Sequence, residues 1–132
     1  MAHIHIILAD DDPDDCLIFS QVAKELKEEV NFTCVESCKA LMQFLDSSAL
    51  PNIIFLDLNM PMLSGQECLK KIKQHEIWKG IPIVIYSTAS RQDIIDQCYM
   101  LGANLYIVKP TSADKLRDII SWIISRVIRL PN

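Results

Sequence analysis

The sequence predicts an α/β fold: a doubly wound, five-stranded parallel sheet covered on both faces by five helices. Two observations support this prediction. Five short apolar runs alternate along the chain with longer segments in which apolar residues recur at helical spacing, and such alternation is typical of a parallel sheet with covering helices. The run IIFL at residues 53–56 is apolar throughout and leads into a Pro-containing loop, as expected of a central strand buried on both faces.

The predicted strands are the five apolar runs, and the predicted helices follow them. The strands span residues 4–9, 32–35, 53–56, 81–86 and 104–108. The helices span residues 13–29, 39–46, 66–75 and 93–101, and a last helix, capped by Ser112 or Thr111, runs to about residue 130. Right-handed crossovers connect parallel strands, so this order leaves few topologies.

Local signals mark the start of the first helix. Asp12 followed by Pro13 is typical of a helix N-terminus, with Asp as the N-cap and Pro in the first position. Asp14 and Asp15 then fall in the first turn, where the helix dipole favours anions. We therefore expect a structural role for the acids at positions 12, 14 and 15.

Composition limits the function. The 132 residues fit a single domain, predicted to span 1–132 without an output domain. The net charge is −4 and Lys/Arg runs are absent, which argues against a nucleic-acid-binding surface. Neither a membrane-spanning stretch nor a signal peptide is found, so we expect a cytoplasmic protein without a membrane partner. The five cysteines are then expected to be reduced thiols.

Chemically reactive side chains follow four of the five strands. They are Asp10 and Asp11 after the first strand, Asp57 after the third, Ser87 after the fourth and Lys109 after the fifth. In a parallel sheet these ends lie along one edge, where ligands bind. Three neighbouring carboxylates repel one another unless a cation joins them, and hard oxygen ligands suit Mg²⁺.

A phosphoryl group would fit beside such an ion. Lys109 and the metal would neutralise its oxygens, and the hydroxyl of Ser87 would donate a hydrogen bond. Asp57 would then be placed to attack phosphorus and to carry an acyl phosphate.

The residues just described resemble the pattern of a response-regulator receiver domain of the CheY-like type. The resemblance is carried by the acidic pair Asp10-Asp11, the stretch DLNMPMLSG around Asp57, the hydroxyl of Ser87 and the step Lys109-Pro110. It implies the flavodoxin-like (βα)5 receiver fold. The first turn, ADDDPDD, is similar to that of single-domain receivers that work with phytochrome-type histidine kinases.

The resemblance implies a role for each acid. Asp57 is the expected phosphorylation site. Asp11 and Asp57 are expected to bind Mg²⁺ through their carboxylates, Asp10 through water, and Asn59 through its backbone carbonyl.

It also implies a switch. Ser87 is expected to move toward the phosphoryl group, and Tyr106 to swing inward as Ser87 moves. Lys109 is expected to pair with the phosphoryl group, and the Lys109-Pro110 bond is expected to be cis. The expected donor is a sensor histidine kinase or a phosphotransfer protein, and the signal leaves as a changed binding surface. The chain would catalyse only its own phosphorylation and dephosphorylation. Because Ala89 offers no polar group to orient water, we expect a long-lived phosphoryl group.

The last helix suggests a homodimer. Its apolar stripe contains Leu116, Ile119, Ile120, Ile123, Val127 and Leu130. Trp122, Ile124 and Ile128 fall outside that stripe and would either form a partner surface or pack under loops.

Three other functions compete with the receiver hypothesis. A flavin mononucleotide carrier of the same fold class would need a phosphate loop after the first strand, where this chain has acids. A haloacid-dehalogenase-type phosphatase would need an acid at position 59, where this chain has Asn59. A degenerate receiver serving only as a scaffold would not need the complete set of acids, hydroxyl and lysine.

Overall fold

The computed structural model describes residues 3–27, 29–47 and 49–127. They form one parallel sheet with the strand order β2-β1-β3-β4-β5. The strands are β1 (Ile4–Ala9), β2 (Val30–Val35), β3 (Ile53–Leu56), β4 (Ile83–Ser87) and β5 (Leu105–Val108). The helices are α1 (Pro13–Lys24), α2 (Cys38–Ser47), α3 (Gly65–Gln74), α4 (Gln92–Met100) and α5 (Ala113–Val127), with a 3₁₀ turn at Trp78–Gly80. The predicted fold class is confirmed.

The register of the sheet brings the strand ends together. Ala9 of β1 pairs with Leu56 of β3, so the residues that follow them, Asp10 and Asp57, leave adjacent strands at the same level. The backbone N–H of Asp57 donates to the carbonyl of Ala9 at 2.9 Å. At the other side of the sheet, Ser87 pairs with Val108, which places Lys109 immediately beyond the ladder.

Each face of the sheet carries its own apolar core. One core packs α2, α3 and α4 against inward-facing residues such as Ile54 and Leu56. The other packs α1 and α5 against residues such as Phe55, with Phe19 of α1 in edge-to-face contact at a centroid distance of 4.9 Å. All four residues of β3 are buried, as predicted for a strand covered on both sides. None of the described helices is both long and apolar enough to span a bilayer.

Several element boundaries differ from the prediction. Strand β2 starts at Val30, not at residue 32, and two further differences have a clear physical reason. Helix α1 ends at Lys24, not at residue 29, because Glu29 already belongs to the approach of β2: its carbonyl accepts the N–H of Ile4 at 3.0 Å. Strand β4 starts at Ile83, not at residue 81, because Pro82 has no N–H to donate to the ladder. The predicted end of the last helix, at residues 128–130, lies outside the described residues.

The cysteines are not all reduced. The structure joins Cys16 to Cys34 and Cys38 to Cys68 as disulfides, with Cα–Cα separations of 6.1 and 5.7 Å. Cys98 is free and buried. The expectation of reduced thiols is therefore wrong for four of the five cysteines. The partners come from different elements, 18 and 30 residues apart, and single-sequence spacing does not reveal such pairs.

Candidate functional site

Three carboxylates meet at the carboxyl edge of the sheet. Side-chain oxygens of Asp10, Asp11 and Asp57 all lie within 4.8 Å of one another. Asp10 is fully buried, Asp57 is 5% exposed and Asp11 is open to solvent. The predicted convergence of these acids is confirmed, and it follows from the pairing of the central strands β1 and β3.

Asp10 is the most constrained member of this group. Its Oδ1 accepts the backbone N–H of Asp12 at 3.0 Å. Its Oδ2 is also buried, and its polar partner is Lys109 Nζ, 2.9 Å away in an ion pair. Burial raises the pKa of Asp10 to about 6; the charge of Asp57 adds to the rise, and Asp12 and Lys109 oppose it. The charged form of Asp10 is therefore costly to the fold.

Lys109 is the cation of the site. Its Nζ lies 2.6 Å from Asp15 Oδ2, 2.9 Å from Asp10 Oδ2 and 3.4 Å from Asp57 Oδ2. Burial alone would lower the pKa of Lys109, but hydrogen bonds to Asp15 and Asp10 and the charge of Asp57 outweigh burial and raise it above its ordinary value. The ammonium therefore remains charged at any physiological pH.

The loop after β3 holds Asp57 from the other side. The backbone N–H of Asn59 faces Asp57 Oδ1 at 3.4 Å, a long hydrogen bond. Gly65 starts α3 directly behind this loop, and a Cβ there would collide with the Asp57 carbonyl oxygen. Ser64 caps α3 in a reciprocal capping box with Glu67. The helix start is thus packed tightly against the backbone that carries Asp57.

Ser87 and Tyr106 lie on the β4–β5 side of the site. Ser87 is buried, and its Oγ accepts the backbone N–H of Ala89 at 3.2 Å. The hydroxyl of Tyr106 donates to the backbone carbonyl of Ala89 at 2.7 Å. The predicted switch pair therefore meets through one residue of the β4–α4 loop.

One predicted feature of the site is wrong. The Lys109-Pro110 bond was expected to be cis, but the described residues contain no cis peptide bond. Trans is the lower-energy isomer of an X–Pro bond unless tertiary contacts select cis, and Lys109 reaches the acids from the trans backbone.

Asp15 is a site residue that sequence reasoning missed. It was expected only to complement the helix dipole, yet it makes the shortest contact to Lys109. The available signal was its position: Asp15 lies in the first turn of α1, directly after the strand end that carries Asp10 and Asp11.

The carboxylate cluster fits a divalent cation. A buried oxygen of Asp10 has Lys109 as its polar partner, and side-chain oxygens of Asp10, Asp11 and Asp57 lie within 4.8 Å of one another. Mg²⁺ takes oxygen ligands of this kind and keeps several waters, and the exposed side of Asp11 leaves room for them.

Comparisons with known proteins agree with this geometry. The family model described as "Response regulator receiver domain" matches residues 6–121. Response regulator Rcp1 of Synechocystis is 31% identical over 124 residues, covering 89% of this chain and 84% of its own length. Two-component response regulator ORR5 of rice is 31% identical over 125 residues, covering 95% of this chain and 89% of its own length.

Two solved structures share the fold over nearly the whole chain. The Mn²⁺-bound form of Rcp1 has a TM-score of 0.84 at 29% identity, covering 98% of this chain and 97% of that one. The phosphorylated cyanobacterial phytochrome response regulator RcpA has a TM-score of 0.86 at 29% identity, covering 99% and 98%. With its parallel sheet, its acid cluster and its lysine, the chain belongs to the response-regulator receiver family of two-component signal transduction.

Proposed function

We propose that Asp57 is the residue of this receiver that accepts the phosphoryl group. One observation carries the proposal: Asp57 is the only member of the three-acid cluster that also lies between Lys109 and the backbone of the β3–α3 loop. Its carboxylate faces an ammonium at 3.4 Å and is shielded from bulk water. Phosphorylation of the relative RcpA supports the same chemistry here.

The transfer exchanges one bond for another. An oxygen of Asp57 attacks phosphorus as the bond to the donor's histidine nitrogen breaks, and the nitrogen keeps the electron pair. Lys109 neutralises a phosphoryl oxygen, and the Ser87 hydroxyl donates a hydrogen bond to another. Mg²⁺ would supply further neutralisation when bound.

The proposed metal ligands are the carboxylates of Asp11 and Asp57, with Asp10 acting through water and Asn59 through its backbone carbonyl. The clustering of the three acids supports this set. The Mn²⁺-bound form of Rcp1 supports a divalent ion in this family. Mg²⁺ is the proposed physiological ion.

The signal is proposed to leave through Ser87 and Tyr106. When Ser87 turns toward the phosphoryl group, it gives up the Ala89 N–H, and the loop that also anchors the Tyr106 hydroxyl shifts. The neighbouring elements α4 and β5 expose Tyr99, Met100 and Val108. A changed surface on α4, β5 and α5 is the proposed output.

Receiver domains take phosphoryl groups from histidine kinases, and the proposed donor here is a phytochrome-like kinase or a phosphotransfer protein. The likeness to RcpA and Rcp1 supports that choice. Several expectations remain predictions of the sequence. They are the single-domain organisation, the cytoplasmic location, the absence of nucleic-acid and membrane partners, catalysis limited to the chain's own phosphorylation and dephosphorylation, and a long phosphoryl lifetime. Of the residues behind the proposed α5 homodimer, Trp122 is 50% exposed and Ile124 is buried at 5% exposure, and Ile128 lies outside the described residues.

Phosphorylation is tested by incubating the protein with acetyl phosphate and Mg²⁺ and measuring its intact mass. The wild type should gain one phosphate adduct, and Asp57→Asn should gain none. Circular dichroism of both proteins confirms folding. A folded wild type that stays unmodified, or a variant that is modified equally, contradicts the proposed acceptor.

A further inference from the structure

Lys109 makes its shortest contact with a residue outside the proposed metal set. Asp15 Oδ2 lies 2.6 Å from Lys109 Nζ, compared with 3.4 Å for the proposed acceptor Asp57. Asp15 belongs to the first turn of α1, whereas Asp10 and Asp57 extend from the sheet. Before any phosphoryl group arrives, the ammonium therefore lies closer to the carboxylate of α1 than to that of the acceptor.

A phosphoryl group on Asp57 adds new anionic partners for the ammonium of Lys109. New anionic oxygens on Asp57 attract Lys109, which already faces three carboxylates. An ammonium has three donors, so a new contact comes at the expense of an old one.

Burial decides which contact is given up. Asp10 is fully buried, and losing its cation would leave an uncompensated charge in the interior. The side chain of Asp15 is 25% exposed, so water replaces Lys109 there at small cost. Asp15 is the exchangeable partner.

We propose that Asp15 is a positioning residue that holds Lys109 against α1 in the resting receiver and competes with the phosphoryl group for it. The inference rests on the proposed function of Asp57. It gives α1 a direct part in setting how tightly the phosphoryl group is held. Removing the Asp15 charge frees a donor of Lys109 and tightens binding of a phosphoryl group or its mimic.

The chain supplies a matched control in the same helical turn. Asp14 carries the same charge one residue earlier and is exposed, and its backbone N–H donates to the Asp12 cap. Asp14→Asn therefore reproduces the loss of charge and the change at the helix start. Any effect of Asp15→Asn beyond that of Asp14→Asn comes from the contact with Lys109.

The test is calorimetric titration of each protein with beryllofluoride, a phosphoryl mimic, in the presence of Mg²⁺. Asp15→Asn should bind about fivefold more tightly than Asp14→Asn, the size expected of a partly exposed ion pair. Asp15→Glu, which keeps the charge, should return toward the wild-type affinity. In a Lys109→Met background, Asp15→Asn and Asp14→Asn should have the same effect.

A second readout needs no metal. A double-mutant cycle of urea unfolding for Asp15→Asn and Lys109→Met, in EDTA, should show coupling between the two sites. The outcomes separate the two proposals. A wild type that binds no beryllofluoride overturns both. Wild-type binding with equal affinities for the Asp15→Asn and Asp14→Asn variants leaves the function of Asp57 standing and overturns the role of Asp15.

Discussion

Lys109 Nζ lies 2.9 Å from Asp10 Oδ2, a buried oxygen that has no other hydrogen-bond partner among the described residues. The ion pair with Lys109 compensates the negative charge of Asp10, whose burial would otherwise destabilise the fold. Replacing Lys109 by Met should therefore lower the free energy of unfolding by about 3–5 kcal/mol at neutral pH. Urea denaturation measures the change, with exposed Lys70→Met as the control. Equal stability of the two variants would show that the acids do not need this cation.

The elevated pKa of Asp10 makes stability depend on pH. A carboxyl with a folded-state pKa of about 6 against an ordinary value of 3.8 binds its proton more tightly when folded. Its contribution is thus most favourable below about pH 4 and declines as pH rises to about 6, by about 3 kcal/mol. The difference in unfolding free energy between Asp10→Asn and the wild type, measured in EDTA, should change by that amount across this window. A flat difference contradicts the raised pKa.

The exposed acid Asp11 is the best place to test metal binding without disturbing the fold. Asp11→Asn should weaken Mg²⁺ binding by about tenfold or more, because a charged ligand is replaced by a neutral one. The ability of Mg²⁺ to raise the thermal midpoint should fall with it. Asp46→Asn, on the exposed side of α2, should bind Mg²⁺ as the wild type does. An unchanged midpoint shift in Asp11→Asn would remove Asp11 from the ligand set.

Gly65 offers a test of the backbone behind Asp57. An alanine Cβ at this position collides with the Asp57 carbonyl oxygen and with Leu58 Cα, so Gly65→Ala should displace the β3–α3 loop. We expect a loss of about 2 kcal/mol or more in stability and slower phosphorylation by acetyl phosphate. Gly80→Ala has open space around the added carbon and should leave the phosphorylation rate unchanged. Similar rates in both variants would contradict a tight helix–loop contact.

The disulfides can be counted chemically. Unfolded without reductant, the protein should react with iodoacetamide at one thiol, Cys98, and after reduction at all five cysteines. Reduction should also destabilise the fold, by about 3 kcal/mol for each bridge if the closed loops constrain the unfolded chain. Five labels without reductant would show that the pairs are in contact but unbonded.

Sequence periodicity was sufficient for the sheet and for the acid cluster. The apolar runs located β1, β3 and β5 closely, and parallel pairing then required Asp10, Asp57 and Lys109 to share one edge. The residues that follow α1 were misread because Glu25 to Glu29 are good helix formers without a stop signal. Tertiary pairing of β2 with β1 overrides that propensity.

Contacts between distant side chains could not be predicted in the same way. Asp15 looked fully explained by the dipole of its own helix, and only the tertiary structure, in which α1 packs against α5, reveals its ion pair with Lys109. The cysteine pairs have the same origin, since their partners come from different elements. The proline isomer is likewise set by tertiary contacts and has no local signal beyond the proline itself.

Asp10 and Asp57 follow central strands of the sheet, whereas Lys109 follows an edge strand, and these strands differ in how freely they can move. β1 and β3 are hydrogen-bonded to a neighbouring strand on each side, whereas β5 is hydrogen-bonded only to β4. Displacing β1 or β3, which carry the acids, would disrupt two hydrogen-bond ladders, whereas displacing the edge strand β5 disrupts one. The acids are therefore fixed at the centre of the sheet. A displacement of the edge strand β5 costs the least free energy, and it occurs where a partner protein can bind.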